Sequence, residues 1–431
     1  NNSEYFIFKN PVNKEKYILI ANNIQAGSMH LLENYAFNQE LIFKNDKLVS
    51  KASMQSDMGI NVLEHKKDII VDVKKLDTFQ NMMKKASAYK VIFAGENHNE
   101  YSHHANQLAV IEYLNNSKKK TAIAMEMVQY EYLNVVNDFV KGRITEKEML
   151  DGINYYNNWS FDYSLYAPIF RYARDNNIDI IPLNIDREIT SKVFQGQIDN
   201  LTKEQALSLP DHMKVMNNTY EDKIKSVFDM HAGSTGKFTD FFLAQNIWDE
   251  IMAKHLADYR KANPDTSIVI ICGNGHAGKY SGIPLRYKRI TGEDSFVIMQ
   301  GEYINQEGND ADIYIYPEEI KSKGTPKIGI AISADNEKNG IVKVESVTKK
   351  SPAEQAGIKS GDIILKCGYH DIKNIGNLKY ALYEKGYNSI LECEIKRGKN
   401  ILNKSIKLFE YDDSAEMNEI IKAHITRMKN K

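Results

Sequence analysis

The sequence predicts an α/β fold with a mostly parallel sheet carrying helices on both faces, followed by a small β-rich C-terminal unit. Two observations carry this expectation. Four apolar runs, KVIFAGE (90–96), TAIAMEM (121–127), IDIIPLNI (178–185) and TSIVIICGNGH (266–276), alternate with amphipathic helical stretches. Strands that are apolar on both faces and separated by helices are those of a buried parallel sheet. The second observation is punctuation. PEEIKSKGTP (317–326), with two prolines, a glycine and dense charge, reads as a domain boundary.

Residues 1–66 alternate apolar and polar positions (YFIF, KYILIA, ELIFKN) and read as short strands of an accessory segment. The α/β domain is placed at 67–316. After its first strand, HHANQLAVIEYLNN (103–116) sets Leu108, Ile111 and Leu114 on one helical face. A further helical region follows the second strand, with Leu133, Val136 and Val140 aligned. LYAPIFRYARDNN is a helix leading into the third strand, and 186–236 is a largely polar helical stretch. FTDFFLAQNIWDEIMAKHLADYRK spaces Phe241, Gln245, Trp248, Met252 and Tyr259 at helical intervals, and this stripe and Trp159 read as core. Beyond the linker, KIGIAIS, GIVKVESV, GDIILKCG and SILECEIKRG are short strands between turns, within 327–411. The tail 412–431 carries a capping box at Asp413 and Glu416 and an apolar stripe of Met417, Ile420, Ile421, Ile425 and Met428, the pattern of an amphipathic helix.

A length of 431 residues suits two or three domains. Lys and Arg number 56 against 57 Asp and Glu, so the chain lacks the basic excess of a nucleic-acid or membrane-surface binder. Its longest apolar stretches fall far short of the roughly 20 residues of a membrane helix. Three cysteines form no CxxC pair; Cys272 reads as a small buried hydrophobe, and Cys367 and Cys393, in one small unit where they could pair, read rather as two buried thiols. The 25 tyrosines reflect general composition. The chain starts NNSEYF without Met, so a processed signal peptide is compatible with it.

In open parallel sheets ligands bind beyond the carboxyl ends of the strands. Each predicted strand end carries polar chemistry: Glu96 and His98, then Glu126, then Asn184, then Asn274 and His276. GENHNEYSHHANQ (95–107) is the most informative string, with Gly95 for a tight turn and His104 and Gln107 sharing the next helix face. Carboxylates flanking imidazoles can tune a base or ligate a divalent metal.

That run, AMEM around Glu126, Trp159 with Tyr163 and YAPIFRYAR, AQNIWDEIMA (244–253) and GNGHAGKYSGIPLR (273–286) together resemble the ChaN-like family over about 75–295. The resemblance implies an α/β fold of a wider group with TraB-like, Tiki-like and erythromycin-esterase-like proteins. It further implies haem binding and iron acquisition at a bacterial cell envelope, in the periplasm or at the outer membrane, often as a lipoprotein. Glu96, His98, Glu126 and His276 carry over as pocket groups. In the haem reading an axial ligand is needed, and His104, Tyr163 and Tyr166 are the candidates by position. Enzymatic members of the wider group imply the alternative, a metal-dependent hydrolase of ester, amide or peptide bonds. There Glu96 or Glu126 is base or ligand, and His98, His276 and Glu126 hold zinc or manganese. Binding protein and enzyme both stay open, and a homodimer sharing haem is a further expectation.

SPAEQAGIKSGDIIL (351–365) is similar to the core of PDZ domains in bacterial proteases and secretion proteins, over about 325–410. Pro352, Ala353 and Ala356 form a short helix, Gly357 ends it, and Gly361-Asp362 turns into a strand. The partner this implies is a peptide or protein C-terminus. Gly329 frees the loop from Lys327 to Ile330 to cradle a carboxylate, and Ile328, Ile330, Leu378 and Leu382 are expected to line the side-chain pocket.

Overall fold

The computed structural model describes residues 2–9, 17–22, 39–44, 47–53, 76–159, 161–210, 218–230, 237–301, 310–332 and 340–411. The expected 412–431 helix lies outside the described residues. The chain divides into two compact units, Asn1–Lys74 and Lys75–Lys431. In the first, strands β1 (Asn2–Lys9), β2 (Tyr17–Asn22), β3 (Gln39–Lys44) and β4 (Lys47–Ser53) form an antiparallel sheet in the order β2-β1-β3-β4.

The second unit opens with α1 (Phe79–Ala86), β5 (Val91–Glu96), α2 (Tyr101–Asn116) and β6 (Thr121–Gln129). Four helices then run over one face: α3 (Leu133–Val140), α4 (Glu146–Gly152), α5 (Tyr155–Asn158) and α6 (Tyr163–Asp175). After β7 (Asp179–Asn184) come α7 (Arg187–Phe194), α8 (Lys203–Leu207), α9 (Asn218–Met230) and the long α10 (Phe238–Ala262). β8 (Ser267–Gly273), α11 (Ile283–Thr291), β9 (Phe296–Gln300) and β10 (Ile313–Ile315) complete it.

The sheet has six strands in the order β10-β9-β5-β8-β6-β7, all pairs parallel. The two strands at one edge, β9 and β10, were not among the four apolar runs. FVIMQ is short and IYI is only half-buried, so neither has the length that marks a strand in isolation. Strand periodicity of two explains the layering. Ile92, Ala94, Ile123, Met125, Val269 and Ile271 face the core under α1–α6. Val91, Phe93, Ala122, Ala124, Ile268, Ile270 and Cys272 face the core under α10 and α11. With β8 inserted between β5 and β6, the carboxyl ends of these three strands lie side by side, and the site is built there.

The C-terminal domain contains β11 (Ile330–Ile332), β12 (Val342–Val347), α12 (Pro352–Gln355), β13 (Ile363–Cys367), β14 (His370–Asp371), α13 (Ile375–Lys385), β15 (Ile390–Arg397) and β16 (Asn400–Lys407). Its antiparallel order is β11-β12-β13-β15-β16, which leaves β11 at the sheet edge. Ser351 caps α12 through Glu354 N–H, and buried Asp362 takes two hydrogen bonds of 2.7 Å from Arg397. Cys367 and Cys393 are a disulfide, correcting the expectation of two thiols. They stand directly opposite in the β13–β15 register, a proximity that 26 residues of separation conceal. Cys272 is a buried free thiol.

The two domains meet through α13. Tyr380 joins the α/β core, Tyr383 packs edge-on to Tyr163 with centroids 5.4 Å apart, and Arg171 lies over the Tyr383 ring. Asn377 Nδ2 donates to Asp151 Oδ1 at 3.0 Å, and Thr325 donates to Asp162 from both N–H and hydroxyl at 2.6 and 2.7 Å. No helix among the described residues is long and apolar enough to cross a membrane.

Candidate functional site

Glu96 ends β5 with 1 % of its surface exposed, and every nearby element supplies it a donor. His98 Nδ1 and Tyr166 OH reach Oε1 at 2.7 Å each; Gln107 Nε2 reaches Oε2 at 2.7 Å, with His104 Nδ1 at 3.3 Å. Burial alone pushes a carboxyl pKa up. Here the His98 hydrogen bond, the charges of His104 and His98 and the Tyr166 hydroxyl outweigh it, and Glu96 is held below its ordinary value. An ionised carboxylate only accepts, so His98 donates through Nδ1 and turns Nε2 away from Glu96. Burial pushes His98 down, but the Glu96 bond and the charges of Glu126 and Glu96 win, and its pKa is raised. Its ring packs against Trp159 and Phe161, at 4.9 and 4.6 Å between centroids, with 23 % of the side chain exposed.

A second carboxylate–imidazole pair faces the first. His276 Nδ1 lies 2.6 Å from Asp249 Oδ1, and His276 Nε2 lies 3.5 Å from Glu126 Oε1. Glu126 Oε2 accepts Gly273 N–H at 2.8 Å. Asp249 is fully buried on α10, where Tyr220 OH donates to it at 2.9 Å and Arg286 Nη1 stands at 3.2 Å. Burial raises its pKa, yet the charges of Arg286 and His276 and the hydrogen bonds from His276 and Tyr220 leave it lowered. Arg286 itself is 0 % exposed and is fixed by the carbonyls of Ser281 and Gly282 and by Asn246 Oδ1 at 2.9–3.0 Å. Gly273 allows the two pairs to approach. A Cβ there would sit 2.9 Å from His98 Nε2 and 3.8 Å from Glu126 Oε2.

Glu96, His98, Glu126 and His276 therefore converge at one rim. The expected cofactor contacts do not. His104, Tyr163 and Tyr166 are buried at 3 %, 0 % and 0 % exposure, and Tyr166 uses its hydroxyl on Glu96. Tyr163 packs between Tyr155, Phe170 and Tyr383. These side chains build the floor and present no atom to a large ligand. His103 is structural as well. It accepts Asn97 N–H at 2.9 Å, and burial brings its pKa down to about 4. For the expected metal set of His98, Glu126 and His276, no group of three or more His, Cys, Asp or Glu among the described residues is placed to hold a metal ion.

Trp159 is buried in the core as expected and Trp248 packs against the core from α10, and both also wall a half-open cleft of about 190 Å³, together with Gln129, Phe161, Asn184 and Arg187. Trp248 also stacks edge-on to His276 at 5.5 Å, so the cleft's rings are those that flank both imidazoles. Asp249 and Arg286 were missed from the sequence. Both lie inside the motifs AQNIWDEIMA and GNGHAGKYSGIPLR, and a charged residue within an apolar helical stripe was the available signal.

Residues 82–287 match the family described as haem-binding uptake, Tiki superfamily, ChaN, and residues 326–408 match the PDZ domain. This is a ChaN-like domain followed by a PDZ domain. The ChaN-like half is similar in structure to ChaN of Campylobacter jejuni with cofacial haem, at 17 % identity over 54 % of this chain and 90 % of that one, TM-score 0.44. An erythromycin esterase in its open conformation is similar at 11 % identity over 53 % and 74 %, TM-score 0.34. The PDZ domain is similar to that of HtrA3 bound to a phage-derived ligand, at 27 % identity over 19 % and 83 %, TM-score 0.17. No curated protein matches the chain.

In the PDZ domain Gly329 has φ +76°, and a Cβ there would lie 2.3 Å from Ser351 Cβ, so only glycine fits the cradle loop. Ile330 is half-buried at the edge strand, while Ile328, Leu378 and Leu382 sit in the domain core at 3 %, 1 % and 5 % exposure.

Proposed function

We propose that the chain is a haem-binding protein of the ChaN type that acts in bacterial iron acquisition and recruits a partner's C-terminus through its PDZ domain. The observation that carries the reading is His98. Its Nδ1 is tied to a buried carboxylate, the arrangement that orients metal-ligating histidines and raises their basicity. Its Nε2 has no hydrogen-bond partner among the described residues, and aromatic rings flank it. Haem iron takes a histidine nitrogen as axial ligand, and His98 is the donor the geometry offers. A cleft of about 190 Å³ is below the roughly 300–1,000 Å³ of pockets that enclose a drug-sized ligand. A haem would therefore be only partly enclosed, with His98 as the group to hold its iron and Trp159, Phe161 and Trp248 as apolar walls. Titration with haem at micromolar concentration tests this: a Soret shift in the native chain, lost in His98→Ala, is expected, and no shift in the native chain rules it out.

A bacterial envelope location is part of the proposal. The PDZ disulfide supports it, because such bonds persist in oxidising compartments.

The Asp249–His276–Glu126 array favours a second reading, acid–base hydrolysis. Asp249 fixes the His276 ring through Nδ1, and Glu126 Oε1 stands 3.5 Å from Nε2, so an oriented imidazole and a carboxylate meet at one point, the pairing that general acid–base catalysis uses. Turnover of an ester, amide or peptide panel that His276→Ala abolishes would support it; no turnover with any substrate, with or without added zinc or manganese, sinks it.

A further inference from the structure

We propose that the cleft beside His98 is a carboxylate-reading subsite that takes the acidic edge of a flat apolar ligand, with Arg187 and Gln129 as the recognising donors. The inference rests on the haem reading, since haem is a planar ring with two carboxylates on one edge. The walls select flatness: Trp159, Phe161 and Trp248 face the same ≈ 190 Å³ of space. The polar lining selects charge, once each group's existing bonds are followed. Asn184 is satisfied, with Nδ2 on Glu126 O at 2.8 Å and Oδ1 accepting from Ile185 N and Trp248 Nε1. Thr190 Oγ1 donates to Arg187 O at 3.1 Å, and Asn158 Nδ2 donates to Gln129 Oε1 at 2.8 Å and Ile153 O at 3.0 Å.

The groups left over are chiefly donors. Gln129 has its oxygen engaged and both Nε2 hydrogens without a partner among the described residues. Arg187 gives one Nη1 hydrogen to Asn157 O and makes no ion pair among the described residues. Both acids next to it in sequence are engaged elsewhere: Asp186 caps α7 by accepting Glu188 N–H at 2.8 Å, and Glu188 pairs with Lys192 at 2.7 Å. Arg187 and Thr190 also belong to the first turns of α7, the end of a helix that favours an anion. A guanidinium and an amide set beside aromatic walls match a carboxylate on a planar hydrophobe, and match a neutral ligand poorly.

The test compares metal-free protoporphyrin IX, which keeps the carboxylates, with its dimethyl ester, using quenching of tryptophan fluorescence in the full chain. The diacid is expected to bind roughly tenfold more tightly or better, the scale of a charge-assisted hydrogen bond. In Arg187→Ala the diacid should weaken to the ester's affinity while the ester is unchanged. Arg187 is exposed, so the variant's melting temperature serves as a control for intact folding. Equal binding of diacid and ester in the native chain, or an equal loss of both in Arg187→Ala, overturns the subsite while leaving the haem reading intact. Failure of haem and of both porphyrins to bind overturns both.

Discussion

Arg286 is the least exposed charge in the molecule's site and gives the sharpest energetic test. Arg286→Met removes a guanidinium that bonds two carbonyls and Asn246, stands 3.2 Å from Asp249, and covers the Tyr220 ring at 4.8 Å. What remains is Asp249, buried and ionised, with His276 and Tyr220 as partners, while Glu250, 3.6 Å from Arg286 Nε, keeps its pair with Arg289. Breaking a buried ion pair from one side costs about 3–5 kcal/mol, because the orphaned charge keeps its desolvation penalty. At about 2–4 °C per kcal/mol for a domain of this size, the melting temperature should fall by about 6–20 °C. The double variant Arg286→Met with Asp249→Asn also removes the orphan. It should therefore be less destabilised than the sum of the two single variants, by about 1–3 kcal/mol. Urea unfolding of the four proteins measures that coupling. Additivity within about 0.5 kcal/mol would show that the pair is not what holds the α10–α11 contact, and that the reasoning from burial is wrong.

Other consequences are equally direct. His98 should titrate above the ordinary histidine pKa of about 6.5, as read by NMR, and Glu96→Gln should bring it down; an unchanged value in the variant refutes the pairing. Because the folded value is raised, the stability it confers is fully present below about 6.5 and is lost as pH rises through the folded pKa. Haem affinity should run the other way and increase through that same range, since iron needs the deprotonated Nε2. Thiol counting on the denatured chain should give one reactive cysteine before reduction and three after; Cys367→Ser should cost about 3.5 kcal/mol from a loop spanning 26 residues, and three thiols without reductant would contradict the bridge. Peptides with a free apolar carboxyl terminus should bind the PDZ domain at micromolar concentration and lose affinity on amidation; equal binding of both forms would show that the Gly329 cradle is not used.

The parts of this molecule that were legible in the sequence are those whose cause is local. Val91–Glu96, Thr121–Gln129, Asp179–Asn184 and Ser267–Gly273 are buried strands because both of their faces are apolar, and that is written in consecutive residues. Glu96, His98, Glu126 and His276 could be placed at one rim for the same reason, since parallel strands bring their carboxyl ends together. What was not legible depends on pairings across the chain. Asp249 meets Arg286 and His276 only once α10 and α11 are packed side by side. Tyr166 reaches Glu96 from 70 residues away, which turns a residue that reads as a surface ligand into part of the floor. Cys367 finds Cys393 only through the β13–β15 register.

The tyrosine-rich seam between the two domains also bears on how the chain can be divided. Tyr156 and Tyr163 each keep a buried hydroxyl with no hydrogen-bond partner among the described residues, beside α13. Separating the domains would expose their aromatic rings to water, which is unfavourable, but would also let both hydroxyls hydrate, recovering about 1–3 kcal/mol for each. The two effects oppose one another. The seam is therefore weaker than its aromatic area suggests, and a cut within 317–326 should yield an α/β fragment that still folds but presents an adhesive patch where Tyr380 and Tyr383 had been seated.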